Sequence, residues 1–402
     1  MSSIEQIASD VGRTETMVLN MGPQHPATHG VLRLIVELDG ERVVSARPDI
    51  GFLHSGIEKT AENRTYRQAL PYTDRLDYAS AMTHNLGYVL AVEKLLGIEV
   101  PLRTQYIRVI MAELNRIASH LLAVGSVVLD LSGVGGVVLM FCFWEREHVL
   151  NLFEAASGQR MTPSYFRIGG LVADLPEGWI EQARTFLRQF PAKVDDVERI
   201  VTHNPIFLER TVGIGKLPVD TALAYGITGP SLRGSGLRYD VRKAMPYSAY
   251  DRFDFEIPIG KNGDCYDRYL VRVAEMRQSM HIVEQALDSL PDGPVNVADR
   301  KIALPPKGEL DTSVEALIHH FKLVTEGFHP PAGQVFHSVE ASKGELGYYL
   351  VSDGGPRPYR FRVRTPSFAA VQVLPLLIKG SLLADVVATI GSLDLVMGEV
   401  DR

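Results

Sequence analysis

The spacing of apolar residues changes character along the chain. Over residues 15–52, Leu32, Leu34, Val36 and Leu38 alternate with Arg33, Ile35 and Glu37, the period of a half-buried strand. Asp39-Gly40 supplies the positive-φ pair of a hairpin returning through Val43 and Val44. Over residues 55–204 the spacing turns helical. After Pro101, residues Ile107, Ile110, Met111, Leu114, Ile117, Ala118, Leu121 and Leu122 recur every three or four positions, which predicts a helix packed against other helices.

Residues 121–143 are apolar over about the length of a membrane span. They also hold Gly125, Gly133, Gly135, Gly136 and a mid-segment Asp130, and a carboxylate at a bilayer centre costs about 2.5–3.5 kcal/mol. Two buried helices broken near residues 133–136 are expected instead. Residues 204–260 are irregular and glycine-rich, with a strand predicted over 253–259. Helices are expected over 264–290, 313–326 and 368–378, and strands over 335–340, 347–352 and 359–363. The pattern gives an α+β protein in two parts: a β-rich segment at 1–54, then a helical core with β insertions at 55–402. No 20–50-residue repeat is visible, so a solenoid is not expected.

Composition narrows the chemistry. A net charge of −7 disfavours nucleic acid as a partner. Cys142 and Cys265 are the two cysteines, too few for a disulfide framework or for an iron–sulfur cluster on four thiolates. Residues 1–16 have neither an apolar core nor an early basic cluster, so no secretory signal or transit peptide is expected and the chain should stay in the cytoplasm. Gly133-Val-Gly135 and Gly213-Ile-Gly215 do not fit a dinucleotide fingerprint, and no phosphate-binding GxxxxGK[ST] occurs. His25 and His29 are spaced as metal ligands can be, but Pro26 argues against one helical face and no third ligand is close, so no metal is expected there.

Longer motifs carry more information. Residues 20–34 (NMGPQHPATHGVLRL), 51–67 (GFLHSGIEKTAENRTYR), 106–122 (YIRVIMAELNRIASHLL), 203–211 (HNPIFLERT), 344–355 (GELGYYLVSDGG) and the closing GSLDLVMGEVDR strongly resemble, in that order, the D-subunit family of NADH-quinone oxidoreductase, respiratory complex I. That family is similar in turn to the large subunit of nickel–iron hydrogenases. The resemblance implies the hydrogenase large-subunit fold, a central helical bundle with β-rich N- and C-terminal parts.

The hydrogenase pattern RxCGxC falls on residues 75–80 and DPCxxC on residues 394–399, which puts Asp77, Ser80, Val396 and Glu399 where thiolates would stand. Nickel and low-spin iron need those soft ligands, so hydrogenase chemistry is excluded.

For this chain the resemblance implies a peripheral-arm subunit of a proton-translocating enzyme, on the cytoplasmic face of the inner membrane and inactive alone. Its substrate would be quinone, with the headgroup oxygens hydrogen-bonded by Tyr78 (in RLDYAS) and His29 (in HPATHG), and with Asp130 (in VVLDLSG) as the partner of His29. No metal or cluster would sit on this chain; iron–sulfur clusters would lie in partner subunits. Implied partners are the neighbour that bears the terminal cluster, the C subunit of the complex, and the membrane subunit through which quinone enters. The residue types suit the reaction, because a phenol (reference pKa about 10) and an imidazolium (about 6.5) both donate hydrogen bonds, and a nearby carboxylate favours the imidazolium.

Taken without the resemblance, Tyr78 reads as a half-buried tyrosine at a helix start with its hydroxyl satisfied, His29 as a loop histidine bonded to backbone, and Asp130 as a buried carboxylate that pairs with Arg116 or Arg146 or caps the helix break. His84, His120, His148, His319 and His320 sit in helical patterns and receive no role. Arg64, Arg67 and Arg75 lie near the tyrosine motif, where their charge would act on a neighbouring cluster. Two other functions fit the same motifs: the equivalent subunit of the ferredoxin-accepting photosynthetic relative, and a non-catalytic scaffold.

Overall fold

The computed structural model describes residues 16–24 and 30–402, so His25 and His29 lie outside the described residues. Met17–Met21 (β1), Arg33–Asp39 (β2) and Arg42–Asp49 (β3) form an antiparallel sheet in the order β1-β2-β3. Its alternation is the expected one: Leu34, Val36 and Leu38 are buried, and Asp39 faces Arg42 across a turn in which Gly40 takes φ 59°. The sheet packs on the C-terminal end of the chain. Leu34, Val36 and Val43 share a core with Val373, Leu374 and Ile390, and Val43 exchanges backbone hydrogen bonds with Gly380 and Ser381.

The bundle consists of Ala81–Leu96 (α1), Leu102–Leu131 (α2), Gly135–Ser157 (α3), Trp179–Val201 (α4) and Cys265–Asp288 (α5). Its central helix is α2, with Ile107, Ile110, Met111, Leu114, Ile117 and Ala118 all buried. By length and composition α2 could cross a membrane, but its most apolar stretch is 78% buried within the protein, as a core helix is. The expected break between α2 and α3 falls at residues 132–134. A Cβ at position 135 would stand 2.3 Å from the Leu129 Cα, so glycine is what lets α3 begin this close to α2. Buried Arg108 on α2 clamps Glu93 of α1 through two bonds of 2.7 and 2.8 Å.

Val314–Thr325 (α6) precedes a second antiparallel sheet, Gly333–Ala341 (β4), Gly344–Ser352 (β5) and Arg360–Arg364 (β6), and the chain ends through Pro366–Ile378 (α7) and Leu383–Leu393 (α8). The first two of these strands are longer than expected and meet in a two-residue turn, Ser342-Lys343, with Ala341 paired to Gly344. The strand expected over 253–259 does not form. Phe253 and Phe255 are buried as the alternation requires, but the N–H groups of Asp254 and Glu256 donate to the side chains of Gln285 and Gln278 on α5, each at 2.9 Å, so no ladder is built. Helices and small sheets together make an α+β fold.

Candidate functional site

The segment before α1, residues 74–80, is buried at every position except two. Asp74, Leu76, Asp77, Ala79 and Ser80 are enclosed, whereas Arg75 is exposed and Tyr78 is 38% exposed. Local hydrogen bonding fixes this alternation. Asp77 Oδ1 accepts from the N–H groups of Ala79 (2.9 Å) and Ser80 (3.1 Å), a turn that caps the approach to α1. Asn115 of α2 grips the segment from below, accepting from Met82 N at 3.0 Å and donating to Ala79 O at 3.4 Å. The tyrosine is thereby turned outward from a rigid loop.

Behind Tyr78 lies a buried group of charges drawn from four parts of the chain. His84 Nε2 on α1 is 2.7 Å from Glu399 Oε1, both fully enclosed, and Tyr348 Oη on β5 lies 3.4 Å from His84 Nδ1. Lys343 from the β4–β5 turn places its Nζ 3.4 Å from Asp77 Oδ2 and 3.5 Å from Asp394 Oδ2. Asp394 itself sits at φ 54° at the end of α8. The closing turn of the chain packs tightly here: a Cβ on Gly398 would lie 2.6 Å from the carbonyl oxygen of Leu76.

The electrostatics follow from this geometry. Burial pushes the Tyr78 phenol upward and Asp77 adds to the rise, while Lys343 draws it back. Burial opposes ionisation of Glu399, but hydrogen bonds from His84 and Ser367 and the charge of Lys343 hold its carboxyl below the usual range. Asp74, on the other side of the loop, is pushed up to about 6 by burial, despite hydrogen bonds from Ser164 and Asn85 and the nearby Arg75 and Arg167. Asp77, His84 and Glu399 bring ligand-type atoms within 4.8 Å of one another. The donors are hard oxygens and one imidazole, and Lys343 already supplies positive charge beside them, so the set does not suit a nickel–iron centre.

The structure thus brings together Asp77, Ser80 and Glu399, three of the four positions matched to hydrogenase thiolates, with Val396 buried in the same closing turn. Asp130 lies at the exposed end of α2, so its reading as a buried carboxylate is corrected. Arg116, one of the cations expected to pair with it, instead binds Glu113 and the carbonyls of Glu340 and Ala341 deep in the core. From Asn115 to Asp130 the helix rises about 22 Å, so the loop bearing Tyr78 and the Asp130 carboxylate are held by different turns of one helix. His29 lies outside the described residues.

Two residues of this site are not legible in the sequence. Helical spacing alone gives His84 no role, and Lys343 falls in what reads as a plain connection. The one signal for Lys343 is its place between two strand patterns short enough to meet in a hairpin. The loop at 50–55 is also fixed by the chain's end: Asp401 accepts from Gly51 N (2.8 Å) and Leu53 N (2.6 Å), and its carbonyl oxygen lies 2.7 Å from His54 Nδ1.

Comparison with known proteins bears directly on this arrangement. Residues 134–402 match the family described as the 49 kDa subunit of respiratory-chain NADH dehydrogenase. The chain belongs to that family. It is 55% identical to the NADH-quinone oxidoreductase D subunit of Geotalea uraniireducens, over 97% of this chain and 99% of that relative. It is 56% identical to the second such D subunit of Chloroflexus aurantiacus, over 97% and 95%, and 53% identical to the second one of Koribacter versatilis, over 98% of each. Membership makes the chain a component of an oxidoreductase complex with a hydrogenase large-subunit-like fold, as the motifs implied.

Proposed function

We propose that this subunit forms the headgroup end of a quinone site in a proton-translocating NADH-quinone oxidoreductase, beside the terminal iron–sulfur cluster of a neighbouring subunit. Tyr78 and His29 donate hydrogen bonds to the two quinone oxygens, and Asp130 holds His29 as imidazolium. The observation that carries this reading is the half-open phenol of Tyr78 at the mouth of a buried set of charges. Quinone takes up two electrons and two protons, and a rigid donor aimed at the oxygen where charge develops is what that step needs. The electrons come from NADH through clusters in other chains.

The surface supports a life in a larger assembly. On α3, Val137, Met140, Phe141 and Trp144 form an exposed stripe, and on α6 so do Val314, Leu317, Ile318 and Phe321. Faces of that kind mark contacts with other proteins or with a membrane surface. They fit a peripheral position on the cytoplasmic side of the membrane, with the cluster-bearing protein, the C subunit and the membrane subunit that admits quinone as neighbours.

The test is NADH–quinone reductase activity in membranes carrying Tyr78→Phe, with NADH–ferricyanide activity as the control for assembly and upstream electron flow. Quinone reduction should fall by at least tenfold while ferricyanide reduction is kept. Retention of both makes the tyrosine structural and supports the scaffold reading.

A further inference from the structure

A lysine in a two-residue hairpin turn ordinarily points into water, yet the Lys343 side chain is only 2% exposed. The surrounding chain forces it inward. A Cβ on Gly229 would stand 2.4 Å from the Gly344 Cα, so a glycine on one side lets the turn press flat against its neighbour. On the other side Arg116 donates to the carbonyls of Glu340 (2.6 Å) and Ala341 (3.0 Å), and Ser119 Oγ meets Ser342 Oγ at 2.9 Å. Held this way, Lys343 Nζ donates to Ser119 Oγ at 2.8 Å and to Ser342 Oγ at 3.3 Å, with Asp77 Oδ2 and Asp394 Oδ2 beyond. Among the described residues, neither of those two carboxylate oxygens has another hydrogen-bond partner.

The charges do not balance. Asp77, Asp394 and Glu399 face one ammonium, helped by His84 on α1 and by Arg272 on α5, whose Nε is 3.9 Å from Asp394. Burial works against a charged lysine, but Asp394, Asp77 and Glu399 reverse that and keep it protonated. Burying an ammonium carries a desolvation cost that an apolar side chain would avoid, so stability alone does not account for it.

We propose that Lys343 is a positioning residue for quinone reduction: its ammonium is the fixed cation that offsets Asp77, Asp394 and Glu399, so that negative charge forming at Tyr78 and the adjacent quinone oxygen is not repelled. This rests on the quinone reading above. With the two electrons that NADH oxidation supplies through other chains, the quinone takes one proton from the Tyr78 hydroxyl and the other from the His29 imidazolium, leaving a phenolate and a neutral imidazole that each regain a proton from solvent. The ammonium lowers the energy of that phenolate through space.

The experiment compares Lys343→Met, Lys343→Arg and the charge-matched double variant Lys343→Met/Asp394→Asn in whole membranes, reading both activities and the pH profile of quinone reduction. Lys343→Met should lose at least tenfold in quinone reductase kcat with ferricyanide activity kept, and the alkaline limb, where Tyr78 ionises, should move upward by about one unit. Lys343→Arg should recover part of the rate. The double variant keeps the net charge and carries the test if the single variant fails to assemble; its quinone rate should recover at least in part. A double variant that assembles yet stays at least tenfold slow, or an alkaline limb that does not move in Lys343→Met, overturns the inference. Full activity in Tyr78→Phe would instead overturn the quinone reading. Loss in Tyr78→Phe together with full activity in Lys343→Met would overturn only the role of the lysine.

Discussion

Two buried sets of charge among the described residues invite comparison, and they differ in what they border. In the deeper one, Glu113 receives Arg242 at 3.0 and 3.1 Å, Arg116 at 3.2 Å, Ser279 Oγ at 2.6 Å and the hydroxyl of Tyr250. Arg233 likewise bridges Glu275 (2.7 Å) and Glu340 (2.8 Å), with His120 2.8 Å from Glu275. Burial raises the Glu113 pKa, but Arg242 and Arg116 overcome it and hold the carboxyl at about 2. In the outer set, Asp77, Asp394 and Glu399 share Lys343, Arg272 and His84, and the set opens onto a half-exposed phenol. The deep network, in which Asp240 also binds Arg242 at 2.6 Å, is wholly buried and joins α2, α5 and the β4 edge. Each set holds one more carboxylate than it has lysine and arginine cations, with one histidine beside them, but the outer one lies against an opening where a substrate could meet it. Burial and ion pairing are common to both, so neither by itself marks a functional site; a buried charge set next to an opening does.

The sharpest way to break this comparison is to damage the closed set. Glu113→Gln leaves Arg116 without its carboxylate partner and Arg242 with Asp240 alone, a loss of about 3–5 kcal/mol. The expected result is less assembled complex on a native gel, with quinone and ferricyanide activities falling together. The same carboxylate sets an acid limit: its folded pKa lies below the ordinary 4.5, so its stabilisation is present above that value and is lost as pH falls towards about 2. If Glu113→Gln assembled normally and lost only quinone reduction, the deep network would be part of the site and the contrast would fail.

Asp74 tests the border between the two. Its folded pKa, about 6, is raised above the ordinary 3.8, so the folded state holds this proton more tightly and stability falls as pH rises through that window. The ionised carboxylate therefore costs on the order of 3 kcal/mol above pH 6. Asp74→Asn should make the complex more heat-resistant at pH 8, with the gain shrinking below pH 6, measured as thermal inactivation of ferricyanide activity. A gain that does not depend on pH would mean that the carboxyl is not titrating there.

Much of this is legible in the sequence, for identifiable reasons. Leu34, Val36 and Leu38 show their strand because one face is buried, and Ile107 to Leu121 show their helix because its stripe is long. Asp77, Ser80 and Glu399 can be placed by motif, and the structure brings them to one corner. His84 and Lys343 cannot. His84 finds Glu399 across 315 residues of sequence, and nothing in its own helix signals that contact. Lys343 is turned inward by Gly229 and Arg116, both distant along the chain. Residues 253–259 show the opposite failure: their alternation is real, but glutamine side chains take the bonds that a strand would have made.

The smallest predicted effects give the finest contrast, because a hydroxyl can be removed from either set. Ser119→Ala takes from Lys343 its nearest acceptor, 2.8 Å away, and Ser279→Ala takes from Glu113 a donor at 2.6 Å. Each loss is worth about 1 kcal/mol. In the closed set that energy appears as stability, since Arg242, Arg116 and Tyr250 still hold Glu113 in place. Ser279→Ala should lower the inactivation temperature slightly and leave the quinone rate unchanged. In the open set the ammonium has two carboxylate oxygens at 3.4 and 3.5 Å and one weaker serine bond left, so it is free to shift, and the field it exerts on Tyr78 changes with it. Ser119→Ala should therefore slow quinone reduction about fivefold, the equivalent of about 1 kcal/mol, with ferricyanide activity and heat resistance kept. If the two serine variants behave alike, the outer charges are scaffolding of the same kind as the inner ones.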